Sequence, residues 1–140
     1  MASLEQLLQK YVNMSYDDLL ACAKYSLPIF ISDLVKESGQ KEAASFLAVL
    51  IAVCLGTDAN FTALENKFFN DLIGTNDSYA DNLKLVQALN TDKSRKLVEN
   101  SVHRLPADKK SAVVSFCLCI LAVDETISKD ETAFINRLIG

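Results

Sequence analysis

The stretch 58–74, DANFTALENKFFNDLIG, returns at 124–140 as DETISKDETAFINRLIG, an offset of 66 residues. Seven of the 17 aligned pairs are identical: Asp58/Asp124, Glu65/Glu131, Phe68/Phe134, Asn70/Asn136, Leu72/Leu138, Ile73/Ile139 and Gly74/Gly140. Phe61/Ile127, Thr62/Ser128 and Phe69/Ile135 are similar. A strongly apolar run precedes each copy. The spacing within each copy is helical, so the repeating unit is a buried helix, a tight Asp-containing turn and a capped amphipathic helix. A solenoid needs about three or more units, so two units point to a closed helical bundle.

The rest of the chain agrees. Leu4, Leu7, Leu8, Tyr11 and Val12 form one amphipathic stripe, with Ser3 and Gln6 placed as its capping box. Ser15 stands as the next N-cap, and Leu19, Ala23, Leu27, Phe30, Leu34 and Val35 continue the stripe. Pro28 interrupts that stripe, which leaves one kinked helix or two short ones, and Gly39 ends it. Thr62 with Glu65, and Ser128 with Glu131, have the spacing of capping boxes. Leu64, Phe68, Phe69, Leu72 and Ile73 form the inner face behind the first box. Ser78 caps a helix with Tyr79, Leu83, Val86 and Leu89 inward; Leu97, Val98, Ser101, Val102 and Leu105 line the following one. Pro106 fits the first turn of the next helix. No segment reads as a strand. The prediction is an all-α fold of seven to eight helices, a pseudo-two-fold repeat of halves (about 15–74 and 78–140) around two buried central helices, in one domain spanning 1–140.

Half the residues are hydrophobic and only 23% charged, which excludes disorder. The apolar runs 43–56 and 111–123 fall short of the about 20 residues a membrane span needs, so no transmembrane segment is expected. No secretory signal is visible at the start, and Cys22, Cys54, Cys117 and Cys119 all lie in apolar helical stretches. They read as buried reduced thiols of a cytoplasmic protein, with Cys117 and Cys119 on different helix faces. The net charge of −4 argues against nucleic acid. It falls unevenly: 5 basic and 9 acidic side chains in 1–74, then 9 and 9 in 75–140. Lys93, Arg95, Lys96, Arg104, Lys109 and Lys110 cluster around one connection. That cluster is either a solvated face or a docking surface for an acidic protein, and self-association stays open.

A buried helix followed by an Asp turn, an apolar residue and a Glu, and then an amphipathic helix, resembles the TerB-like tellurite-resistance family. The resemblance covers roughly residues 15–140, with the motif twice, at 58–65 and 124–131. Both copies lack the Gly that usually follows the Asp in that family. The resemblance implies a stress-response or resistance role and a divalent cation of the Ca or Mg class at the acidic positions. Carried over, these are Asp58 and Glu65 in one half, Asp124 and Glu131 in the other, converging if the halves pack about a two-fold. The competing reading is structural: the glutamates as capping residues at N3, the aspartates as acceptors in tight turns. An EF-hand is disfavoured, since position 12 would be Phe69 or Ile135. No other cofactor is implied. No catalytic residue is predicted either: there is one His, His103, with no Gly-rich phosphate loop or nucleophile elbow. The alternative function is a metal-free interaction module using the basic surface around 93–110.

Overall fold

The computed structural model describes residues 4–56, 61–124 and 127–139. Seven α-helices account for most of them: α1 (Leu4–Val12), α2 (Tyr16–Gly56), α3 (Ala63–Ile73), α4 (Tyr79–Leu89), α5 (Asp92–His103), α6 (Ala107–Leu121) and α7 (Lys129–Ile139). A short 3-10 turn, Ala122–Asp124, extends α6. Among the described residues there is no strand. The fold is all-α, as the helical periodicity predicts.

Helix starts follow the side-chain acceptors. Ser15, Ser78 and Thr91 each accept the backbone N–H three residues on, at 3.1 Å. Ser3 lies outside the described residues. Pro106 occupies the position just before α6 rather than its first turn.

Pro28 does not break α2; the break falls at Gly39, where φ is 87° and ψ 165°. Proline removes one N–H, but Phe30, fully buried and edge-on to Phe116 at 5.4 Å, holds that segment in the core. Gly39 adopts a backbone conformation open almost only to glycine. The break folds the helix back. Cys22 interacts with Cys119 and Cys54 with Cys117, so positions 22 and 54 both meet α6 within one turn of it. In a straight helix those 32 steps would span about 48 Å. The arms 16–38 and 40–56 therefore clasp α6 from two sides, and α2 with α6 is the most extensive helix pairing in the molecule.

The core is centred there. Every residue from Leu50 to Leu55 is buried, as is every residue from Phe116 to Val123. Burial of this kind stabilises by about 1.5–3 kcal/mol per large apolar side chain. By length and composition α2 is also apolar enough to cross a membrane, with a mean hydropathy of 1.4 over 18 residues. The break at Gly39 divides that length between the arms 16–38 and 40–56.

Several inward assignments are corrected. Leu64, Ile73, Tyr79 and Leu97 are exposed, Leu97 by 56%. Asn82 takes the inward place on α4, 2% exposed. Its amide donates to Asn66 Oδ1 at 2.6 Å and Asn70 Oδ1 at 3.1 Å, while Asn70 donates to the Asp77 carbonyl at 2.9 Å. A buried amide stays satisfied this way, and the network pins α4 to α3 where apolar periodicity is weak.

Candidate functional site

The two copies of the repeat build the same local structure. Thr62 N–H donates to Glu65 Oε1 at 2.9 Å, and Glu65 N–H returns to Thr62 Oγ1 at 3.1 Å. Ser128 N–H donates to Glu131 Oε1 at 2.9 Å, and Glu131 N–H to Ser128 Oγ at 3.1 Å. Both glutamates are 3% exposed. Each carboxylate thus sits at the positive end of a helix and satisfies a backbone donor that would otherwise be orphaned.

The start of α3 also meets the turn behind α6. Thr62 Oγ1 donates to Asp124 Oδ1 at 2.9 Å, across 62 positions of sequence. One oxygen of Asp124 is thereby fixed, and α3 is tied to the 3-10 turn behind α6. Asp58 lies outside the described residues. Of the four acidic candidates, Glu65 and Glu131 are placed in the caps and Asp124 at the junction. Among the described residues no three His, Cys, Asp or Glu side chains gather as a metal cage.

The repeat identities divide by environment. Phe68 and Phe134, Leu72 and Leu138, and the two glutamates are buried in both copies. Ile73 and Ile139 are exposed in both, by 41% and 45%. Asn70 is buried in the amide network, whereas Asn136 faces solvent.

The basic cluster is partly neutralised within the chain. Arg95 pairs with Asp92, and Lys109 approaches Asp33 at 4.0 Å. Lys93, Lys96 and Arg104 are exposed. His103 is exposed as well, its Nε2 2.6 Å from the Arg137 carbonyl oxygen, and Arg137 in turn donates to Glu99 at 3.2 Å.

One constellation escaped the sequence reading. Ser115 Oγ lies 2.6 Å from Tyr11 Oη, 3.5 Å from Cys22 Sγ and 3.5 Å from Ser26 Oγ. Cys22 is half-buried rather than buried, while Cys54, Cys117 and Cys119 are buried as expected. Cys117 and Cys119 do point to different partners. The only sequence signal was the spacing: Cys22 and Ser26 are four apart on α2, and Ser115 and Cys119 four apart on α6, so each pair shares a helix face.

No protein-family model matches this chain, and neither a curated protein nor a solved structure does.

Proposed function

We propose that this chain is a stress-response accessory protein of the TerB-like type, in which the two acidic turns act as one locus for a divalent cation. The observation that supports it is the Thr62–Asp124 hydrogen bond, which joins the start of α3 in one repeat to the turn behind α6 in the other at 2.9 Å. The side chains described at the locus are carboxylates and hydroxyls, all oxygen donors. That suits the hard cations Ca²⁺ and Mg²⁺.

The same geometry sets the strength. Glu65 and Glu131 each hold a backbone N–H, and the N-terminal ends of two helices place partial positive charge nearby. Among the described residues, Asp124 is the acidic candidate outside the caps, and one of its oxygens accepts from Thr62. Affinity in oxygen sites follows the ligand charge count, which places this one in the weak class, with Kd of about 10⁻⁴–10⁻³ M. The basic-surface alternative has less behind it, since Arg95 and Lys109 already have acidic neighbours in the chain.

Calorimetric titration with Ca²⁺, Mg²⁺, Mn²⁺ and Zn²⁺ tests the proposal. We expect saturable heat with Ca²⁺ or Mg²⁺, lost in Asp124→Asn. Absence of both heat and thermal shift at millimolar cation would overturn it, and so would binding that Asp124→Asn leaves intact.

A further inference from the structure

We propose that Cys22 and Cys119 form a peroxide-reactive dithiol, with Cys22 as the attacking thiol and Cys119 as the resolving thiol. The two come from α2 and α6, where small side chains face each other in antiparallel order: Cys22 opposite Cys119, and Ser26 opposite Ser115. Small residues at a crossing allow close backbone approach, which a disulfide requires.

The surroundings differ between the two sulfurs in the way such a pair needs. Cys22 is half-buried, whereas Cys119 is fully buried. Three hydroxyls gather beside Cys22: Ser115 at 3.5 Å, Ser26 bonded to Ser115, and Tyr11 at 2.6 Å from Ser115. Burial works to raise the Cys22 thiol, but hydrogen bonding with Ser115, Cys119, Ser26 and Tyr11 outweighs it and leaves the thiol below its ordinary value. Burial, followed by interaction with Cys22, holds Cys119 well above its own. The thiolate is the nucleophile, so the less buried cysteine is also the more reactive one. A groove of about 430 Å³, lined by Leu7, Tyr11, Val114, Ser115 and Leu118 among others, borders the Tyr11 and Ser115 side of the cluster.

The chemistry balances with a hydroperoxide as the oxidant. The Cys22 thiolate attacks the terminal oxygen of ROOH; the S–O bond forms, the O–O bond breaks, and the alkoxide takes the thiol's proton and leaves as ROH. The Cys119 sulfur then attacks the Cys22 sulfenic acid; the S–S bond forms, the S–O bond breaks, and hydroxide leaves with the Cys119 proton as water. Two thiols are oxidised and one peroxide is reduced. In a reducing compartment the resting form is the dithiol. Cys54 and Cys117 also face each other across α2 and α6, but both are buried. They serve as the internal control.

Treating the reduced full-length protein with hydrogen peroxide, followed by peptide mass mapping, tests this. The expected product is a Cys22–Cys119 disulfide, absent in Cys22→Ser and retained in Cys54→Ser. In Cys119→Ser, a dimedone adduct accumulates at Cys22. In the untreated protein, Cys22 alkylates at least about tenfold faster than Cys119, as a thiolate difference of one pKa unit or more requires. Four thiols still free after peroxide, or Cys22 crosslinked only between molecules, would overturn the proposal. The alkylation measurement uses the native chain, so it stands even where a serine variant folds poorly.

Discussion

Asp71 gathers two donors at one carboxylate oxygen: the Tyr16 hydroxyl at 2.5 Å and the Lys67 ammonium at 2.9 Å, with Lys67 also 4.3 Å from the Tyr16 ring centre. The Tyr16 bond, then the Lys67 bond, lowers the Asp71 carboxyl below its ordinary value. Burial, then the bond to Asp71, raises the Tyr16 phenol to about 12. The two signs place their effects at opposite ends of the pH scale. A lowered Asp contributes stability above its unfolded pKa and loses it as pH falls through the folded value. A raised Tyr contributes below its unfolded value near 10 and loses it as pH rises toward about 12. Asp71→Asn removes the anionic acceptor but not the burial. The Tyr16 midpoint, followed by NMR of its ring signals, should therefore fall from about 12 yet stay above 10. An unchanged midpoint would show that Asp71 does not act on the phenol. None of this was legible in the sequence, because Tyr16 and Asp71 are 55 positions apart and only the packing of α2 on α3 brings them together.

Among the elements, the starts were more legible than the faces. The T-x-x-E and S-x-x-E spacings translate directly into reciprocal caps, because a capping box is a local event that needs no tertiary partner. Faces are decided by neighbours. Leu64 and Leu97 follow the apolar stripe and still lie exposed, while Asn82 is buried because Asn66 and Asn70 satisfy its amide. Pro28 looked like the break in α2, and Gly39 is the break, since core packing around Phe30 supports the helix through the proline. Thr62 also carries a second bond, to Asp124. Losing a cap costs about 0.5–2 kcal/mol, and losing a further hydrogen bond about 0.5–1.5 kcal/mol. Thr62→Ala should therefore destabilise by about 1–3 kcal/mol in chemical denaturation. A loss below about 0.5 kcal/mol would mean that neither the cap nor the Thr62–Asp124 bond supports the fold.

At the scale of the whole molecule, the repeat in sequence foretold two all-apolar helical segments at the centre, and both are there, in the second arm of α2 and in α6. It did not foretell that α2 folds at Gly39 and clasps α6, nor that each arm sets a cysteine against α6. Those facts depend on how the helices cross, and single-chain periodicity carries no information about crossing. Convergence of the two Asp turns is an expectation of symmetric packing; Asp58 lies outside the described residues, and what the structure shows is the Thr62–Asp124 bond between the start of α3 and the turn behind α6. The central claim is that these turns act together as one cation locus. Amide NMR spectra recorded through a Ca²⁺ titration test it most directly. The account predicts that residues of both turns, around Thr62 and around Asp124, shift together along one isotherm with a midpoint of about 10⁻⁴–10⁻³ M. Shifts confined to one turn, two separate isotherms, or no shift at either would contradict it.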